Sequence, residues 1–286
     1  MSEYALELKG LTHRYGKHVA LDNMSFQLEP GRIYGLLGRN GAGKTTLLNI
    51  LSAAIFPTSG EALIFGERAH EHLAALKRLC FVREKGMYPP AIRVREVLKA
   101  CEALYPNWDK DYAQRLVQRF ELNDKKRYKQ LSRGMESSLG LIIGLASRAP
   151  LTIFDEPSLG LDAAAREHFY DELLHDLEQF PRTVIISTHL IDEVARIFEE
   201  VVIVDKGRLV VHEPTEQLLS RAYQITGPAD KAEQAARNLK ILHRDSLAGV
   251  AVISAMGEDL EEVPGVTVEP LPLQKLFVYM TEEEEK

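Results

Sequence analysis

Residues 33–51 read IYGLLGRNGAGKTTLLNIL, and this stretch decides the fold. An apolar run is followed by a glycine-rich turn with the spacing G-x-x-x-x-G-K-T and then by a second apolar segment. Glycines let backbone N–H groups curl around a polyphosphate, the helix start adds its positive dipole end, the lysine adds a charge, and the first threonine hydroxyl can bind Mg²⁺. The stretch therefore predicts a phosphate-binding loop between a strand and a helix. Its residues are Gly38, Arg39, Asn40, Gly41, Ala42, Gly43, Lys44, Thr45 and Thr46.

Strand and helix patterns alternate on both sides of this loop. Residues 4–8 and 23–28 alternate between apolar and polar types, as half-buried antiparallel strands do. The short apolar runs 79–82, 151–154 and 183–187 are typical of fully buried parallel strands, and helical spacing separates them. The sequence therefore predicts an α/β fold with an antiparallel β subdomain at its start. Ligands of such a sheet bind at the carboxyl ends of the parallel strands.

Two further regions follow from the same patterns. Residues 94–130 and 132–147 have helical spacing interrupted at Pro106, which predicts a helical subdomain over about residues 86–147. From about residue 223 a strand, a helix over 228–239, strands around 250–254 and an amphipathic segment over 273–280 predict a small C-terminal α/β appendage. We therefore expect a nucleotide-binding domain over residues 1–221 and an accessory domain over residues 222–286. The acidic run 282–285 is interpreted as a solvated tail.

Composition excludes several classes of protein. The chain has 286 residues, 45% hydrophobic and 27% charged, which is an ordinary globular balance. Its net charge of −7 argues against a dedicated nucleic-acid binder, so no nucleic-acid partner is expected. Cys80 and Cys101 lack metal-ligand spacing and suggest a reducing compartment. No signal peptide and no apolar run of membrane-spanning length is visible, so a membrane role would require another chain to cross the bilayer.

Two strand ends carry candidate catalytic groups. Asp155 and Glu156 directly follow the apolar run 151–154, and His189 follows the run 183–187 by two residues. An isolated Asp-Glu pair is more typical of a solvated turn, and an isolated histidine is more often structural. At the carboxyl ends of buried strands, however, Asp155 is placed to hold Mg²⁺ and Glu156 to orient or deprotonate an attacking water. His189 is placed to contact a γ-phosphate.

These motifs, with the signature and D-loop motifs, resemble those of the ATP-binding cassette (ABC) ATPases over about residues 4–220. Residues 131–135, LSRGM, resemble the family's signature motif, and 151–156 resemble its Walker B strand. Residues 158–162, SLGLD, resemble its D-loop, and His189 resembles its switch histidine. Within the family, the helical insertion, the turn at 87–90 and the appendage resemble ATPase subunits of bacterial ABC-2-type exporters. The resemblance implies a P-loop NTPase core of the ABC ATPase type, with ATP and Mg²⁺ as cofactors.

The resemblance also implies that two chains face each other head to tail. Each ATP would be held between Lys44 of one chain and Ser132 of the other, and Asp162 would help to connect the two sites. Tyr15 resembles the aromatic residue on which the family stacks adenine, although it can also be read as a packed strand residue. Glu84 stands where the family usually has glutamine, and its carboxylate would still bind Mg²⁺ or water.

The signature motif departs from the family pattern Leu-Ser-Gly-Gly-Gln. Ser132 and Gly134 are retained, whereas Arg133 replaces a glycine and Met135 replaces the glutamine. Methionine cannot donate the hydrogen bonds of an amide. Arg133 adds a positive charge close to the phosphate that the resemblance places there, which can offset that loss. The departure therefore affects how strongly the ATP site between the two chains is expected to bind more than whether that site forms.

We interpret the chain as the ATP-hydrolysing subunit of an ABC transporter, with an exporter favoured over an importer. The expected partners are integral membrane permease subunits and a second cassette, which can be a copy of this chain or a different ABC ATPase. The expected location is the cytoplasmic face of the cell membrane. A soluble mechanical ABC ATPase and a regulatory nucleotide-binding module remain as alternatives. The single cassette and short helical insertion weigh against the first, and the intact Glu156 and His189 weigh against the second.

Overall fold

A computed structural model describes residues 3–70, 72–247 and 249–282. Strands form at positions that the alternating and apolar runs largely predict. They are β1 Leu6–Tyr15, β2 His18–Leu28, β3 Ile33–Leu37, β4 Ser59–Ile64, β5 Glu67–Arg68, β6 Leu79–Val82, β7 Leu151–Asp155, β8 Thr183–Ser187, β9 Glu200–Asp205, β10 Arg208–Pro214, β11 Ala222–Pro228, β12 Lys240–Leu247, β13 Val250–Met256 and β14 Thr267–Pro270. The helices are α1 Lys44–Leu51, α2 Leu73–Lys77, α3 Val94–Leu104, α4 Lys110–Arg119, α5 Arg133–Ser147, α6 Ala163–Gln179, α7 Ile191–Val194, α8 Thr215–Ser220, α9 Ala229–Ala235 and α10 Leu273–Thr281.

The first sheet is the predicted antiparallel β subdomain. Its strand order is β2-β1-β4-β5, and each neighbouring pair runs antiparallel. Leu6, Leu8 and Leu11 of β1 are buried on one face and pack in the same core as Leu47 and Leu48 of α1. The antiparallel sheet thus covers the helix that follows the phosphate-binding loop.

The central sheet confirms the predicted α/β architecture. Its order is β10-β9-β3-β8-β7-β6, in which all neighbours are parallel except the edge strand β10. Residues Ile33–Leu37 of β3 and Thr183–Ser187 of β8 are buried throughout, as expected for strands covered on both faces. Because β3, β8 and β7 are adjacent and parallel, their carboxyl ends lie side by side.

The helical subdomain contains α3, α4 and α5. The helical pattern predicted over residues 94–130 is wrong between α4 and a short 3-10 turn at Tyr128–Gln130, where the chain leaves the helix, but the structure confirms the predicted interruption around Pro106. Proline removes a backbone donor, which ends α3 near that position. Cys80 and Cys101 are buried free thiols, and burial raises the pKa of Cys101 to about 12.

The C-terminal appendage is a four-stranded antiparallel sheet of order β12-β13-β11-β14, with α9 packed on β11 and β13. The predicted helix 228–239 is too long, since α9 ends at Ala235 and Leu239 packs into the appendage core. Strand β10 was not predicted. Helix α10 packs against α7 of the first domain, and its buried Leu276 belongs to the main core. Of the acidic run 282–285, Glu282 is exposed and the other residues lie outside the described part.

Within residues 3–70, 72–247 and 249–282, none of the helices combines the length and the apolar character that a bilayer crossing requires.

Candidate functional site

The phosphate-binding loop connects β3 to α1, as predicted. Gly43 caps α1 with φ at 105°, in the left-handed region that favours glycine, and a Cβ there would lie 2.6 Å from the Ala20 carbonyl oxygen. A Cβ at Gly38 would lie 2.7 Å from the Val204 carbonyl oxygen. The fixed glycines therefore let the loop pass close to neighbouring backbone. Its N–H groups and the start of α1 form an arrangement suited to anions.

A cavity of about 200 Å³ lies along this loop and is lined by Tyr15, His18, Ala20 and residues 39–46. The Tyr15 side chain is half exposed and meets His13 edge-on, with ring centroids 4.5 Å apart. Tyr15 is therefore not enclosed as a core strand residue. Our reading of the sequence missed His18, although the turn at residues 16–17 could have indicated that β2 brings His18 back opposite Tyr15.

Lys44 extends along its own loop. Its Nζ donates hydrogen bonds to the carbonyl oxygens of Gly38 and, at 3.4 Å, Arg39. Burial lowers the pKa of Lys44, whereas the nearby Glu156 and Asp155 carboxylates act to raise it. The lysine of the loop and the two acidic residues at the end of β7 therefore share one electrostatic environment.

Asp155 is the last residue of β7 and is held near those charges. Burial raises the pKa of its carboxyl, and the negative charges of Glu156 and Glu84 act in the same direction, while Lys44 opposes them. A carboxylate with a raised pKa in a partly buried position gains when a cation binds it. Thr45 presents a second hard oxygen ligand at the start of α1.

The donor set fits Mg²⁺ bound together with a nucleotide. Among the described residues there is no group of three or more His, Cys, Asp and Glu side chains able to hold a metal ion on its own. Mg²⁺ characteristically binds through one or two protein oxygens plus phosphate oxygens and water. The oxygens of Thr45 and Asp155 fit that pattern, in which phosphates would supply the remaining ligands.

Glu156 and His189 contact each other at the ends of β7 and β8. The Glu156 backbone has φ at 51°, in the left-handed region that is unusual for a residue with a side chain. Its carboxylate lies 2.9 Å from His189 Nδ1 and accepts a hydrogen bond of 3.2 Å from the Thr188 hydroxyl. The His189 backbone N–H also donates to it, at 3.4 Å. The Glu156 carboxylate is thus fixed by the segment that carries the histidine.

The signature residues lie at the start of α5. Ser132 caps this helix, and its hydroxyl oxygen accepts a hydrogen bond of 3.3 Å from the Met135 backbone N–H. Arg133 forms an ion pair with Glu84, with 2.9 Å between Nη2 and Oε1. This pair was not predicted, because 49 positions separate the two residues. Gly134 lies against the D-loop, where a Cβ would come within 2.7 Å of the Gly160 carbonyl oxygen.

The D-loop runs from the end of β7 to α6. Asp162 is exposed, and its carboxylate caps α6 by accepting a hydrogen bond of 2.8 Å from the Ala165 N–H. Ser137 of α5 donates a hydrogen bond of 2.6 Å to the Leu159 carbonyl oxygen. A hydrogen bond within the chain therefore joins helix α5 to the D-loop.

One contact of the phosphate-binding loop comes from the appendage. The Arg39 guanidinium donates a hydrogen bond of 3.3 Å to the carbonyl oxygen of Thr281, the last residue of α10. Near the other end of α10, the side chain of Gln274 accepts a bond of 3.5 Å from the Asp192 N–H in α7. No sequence signal indicated these contacts, since both depend on how the appendage docks.

Comparisons with known proteins agree with these motifs. The sequence model of the ABC transporter family matches residues 21–159. The ABC transporter ATP-binding protein YtrB of Bacillus subtilis is 29% identical over 192 residues, which span 67% of this chain and 66% of that relative. Nod factor export ATP-binding protein I of Cupriavidus metallidurans is 30% identical over 220 residues, or 75% of this chain and 72% of that relative.

A solved structure shows the same fold. It is a dimeric structure of a post-hydrolysis state of the ATP-binding cassette MJ0796 bound to ADP and Pi. Its sequence is 24% identical, and the match has a TM-score of 0.64 over 73% of this chain and 98% of that chain.

Proposed function

Since this chain belongs to the ABC transporter family and is one of its ATPases, we propose that it works as one half of a head-to-tail dimer that drives separate membrane subunits. One observation carries the proposal. The cavity at the phosphate-binding loop is lined by residues from the N-terminal part and the loop itself, whereas Arg133 and Gly134 at the start of α5 lie against Glu84 and the D-loop. One chain thus supplies two different half-sites, and two chains complete each of them.

Within one half-site, each residue has a distinct proposed role. The Tyr15 ring stacks on the adenine, and the loop residues Gly38, Arg39, Asn40, Gly41, Ala42, Gly43, Lys44, Thr45 and Thr46 hold the phosphates. Thr45 and Asp155 would hold Mg²⁺, with Glu84 as a third oxygen ligand when it turns toward the site. Mg²⁺, when bound, supplies positive charge that stabilises the transferring phosphoryl group.

Glu156 is the proposed general base, and its position supports this role. Its carboxylate is oriented by Thr188 and by His189, so that it can accept a proton from a water beside the γ-phosphate. His189 positions this carboxylate and contacts the γ-phosphate. The left-handed backbone at Glu156 directs the side chain toward the histidine segment rather than along the strand.

The other half-site acts on the ATP bound by the partner. Ser132 and Gly134 would contact its γ-phosphate with a hydroxyl and a backbone N–H at the positive end of α5, with Arg133 and Met135 beside them. Asp162 would connect the two sites through the D-loop. ATP binding then closes the dimer, and hydrolysis opens it.

The proposed membrane partner docks near the turn at residues 87–90, which would place the chain on the cytoplasmic face of a membrane. Met87 is 84% exposed, whereas its neighbour Tyr88 packs edge-on against Tyr128 at 5.3 Å. Met87, Pro89 and Pro90 are exposed and offer apolar surface to a partner, whereas Tyr88 is partly buried. Export is favoured because the relative from Cupriavidus metallidurans is named as a Nod factor export ATP-binding protein.

The test is to purify the tagged chain from mildly solubilised native membranes and identify what remains bound. We expect a polytopic membrane protein. Met87→Glu should reduce its recovery about tenfold, since a central apolar contact contributes on the order of 1–2 kcal/mol. Leu247→Glu is the matched control, because Leu247 is 82% exposed but lies in the appendage hairpin. Finding only soluble partners with the unsubstituted chain would contradict coupling to transport.

A further inference from the structure

Glu84 and Arg133 are charged residues at positions where the family pattern has uncharged ones, and their side chains contact each other. From this pairing we propose that the Glu84–Arg133 ion pair couples the two ATP sites of the dimer, so that ATP in one site strengthens ATP binding in the other. The inference rests on the proposed head-to-tail dimer. It assigns to these departures a regulatory role that neither residue would have alone.

Glu84 belongs to the ATP site of its own chain. It follows β6, and its charge acts on the Asp155 carboxyl at the end of the neighbouring strand β7. The preceding Arg83 bonds to Asn49 at 2.9 Å and to Ser52 at 3.3 Å, both in or next to α1. The chain next to Glu84 is therefore joined through Arg83 to the helix that begins at the phosphate-binding loop.

Arg133 belongs to the other ATP site. It is the first residue of α5, directly after Ser132, and the proposed dimer turns this helix start toward the ATP of the partner. Its stem packs on the D-loop, since a Cβ on Gly160 would lie 2.8 Å from Arg133 Cγ. Gly160 also has φ at +83°, a conformation that favours glycine, and the missing side chain leaves room for the Arg133 stem.

The ion pair can therefore break, and each of its two residues can then contact a different charged partner. When Glu84 turns toward the Mg²⁺ and phosphates of its own site, it leaves the Arg133 guanidinium. Arg133 is then available to the γ-phosphate that the partner chain holds, with which a guanidinium forms strong charge-assisted hydrogen bonds. By thermodynamic reciprocity, occupancy of either site favours occupancy of the other. Both side chains are about half exposed, so the expected coupling is about two- to fivefold in affinity.

The test measures equilibrium ATP binding rather than hydrolysis. All variants carry Glu156→Gln, which removes the proposed base, and binding is titrated in Mg²⁺ while dimer formation is followed by sedimentation. Glu84→Gln, Arg133→Gln and the double variant remove the pair. The matched control removes the ion pair Arg244–Glu233 with Glu233→Gln and Arg244→Gln, because its arginine has the same 58% exposure but lies in the appendage.

We expect positive cooperativity in the parent, with a Hill coefficient between one and the limit of two for two sites. Each single variant should lower it toward the value that dimer formation alone gives, and the double variant should do no more than either single one. The control pair should leave it unchanged. Single variants that dimerise and keep the parent's cooperativity, or effects that simply add in the double variant, would overturn the coupling while leaving the dimer intact. A parent that binds ATP without dimerising would overturn both proposals.

Discussion

The Asp155 carboxyl is costly to ionise in the folded state when no cation is bound. This carboxyl has a raised pKa because burial disfavours the charged form, and hydrogen bonding to Ser187 and the charge of Lys44 offset only part of that effect. The folded state therefore binds a proton at Asp155 more tightly than the unfolded chain does. As the pH rises through the pKa that Asp155 has in the folded state, ionisation of its carboxyl lowers the free energy of unfolding. A cation bound to the carboxylate would offset this destabilisation of the folded state.

Asp155→Asn should consequently raise the melting temperature at pH 7.5 while abolishing Mg²⁺-dependent ATP hydrolysis. The amide carries no charge to desolvate, so the gain should shrink as the pH falls toward 4, where the carboxylate of the parent also becomes protonated. Thermal melts of both proteins at several pH values measure this. If the variant melts lower at pH 7.5, the hydrogen bonds and ion pairs of the carboxylate outweigh its burial.

Several residues of the site could be predicted because local sequence carries their chemistry. The phosphate-binding loop, Asp155 and Glu156 each follow a recognisable buried strand. The partners of Arg133 and Arg39 could not be predicted, since Glu84 and Thr281 are distant in sequence and meet these arginines only after the subdomains pack. Exposed charged residues pair according to tertiary geometry, which periodicity does not encode.

Among the strands and helices, those with a clear apolar pattern in the sequence were predicted best. Strands β3, β7 and β8 are short apolar runs buried on both faces, and they match the predictions within about one residue. Strand β10 is partly exposed and lies at a sheet edge, so no sustained alternation reveals it. The end of α9 was misjudged because the apolar spacing continues to Leu239, which packs in a loop rather than a helix.

Helix α10 is the element that joins the appendage to the first domain. Leu276 is fully buried in the main core, whereas its neighbour Lys275 bonds to Gln224 within the appendage at 2.8 Å. Leu276→Ala should cost about 2–5 kcal/mol and lower the melting temperature by roughly 5–15 °C, because it leaves a cavity. Lys275→Ala should leave it nearly unchanged. Equal melting temperatures for both variants would show that α10 does not dock as described.

At the scale of the whole molecule, the chain carries the two proposed half-sites on one framework. The phosphate-binding loop, Asp155, Glu156 and His189 gather at the carboxyl ends of adjacent parallel strands, as the strand pattern predicted. The start of α5 is joined instead to Glu84 and the D-loop. Sequence motifs indicated both groups, but their separation into two half-sites depends on the arrangement of the subdomains.

The central claim is that ATP closes two chains head to tail, and Glu156→Gln tests it most directly. This variant should hydrolyse ATP about 10²- to 10⁴-fold more slowly, because it loses the general base. It should still bind ATP, so sedimentation in Mg-ATP should show a stable dimer that disperses when ATP is withdrawn. Adding Lys44→Ala should prevent that dimer, since phosphate binding is weakened. A Glu156→Gln chain that stays monomeric in Mg-ATP at every concentration, even with its membrane partner present, would contradict the account.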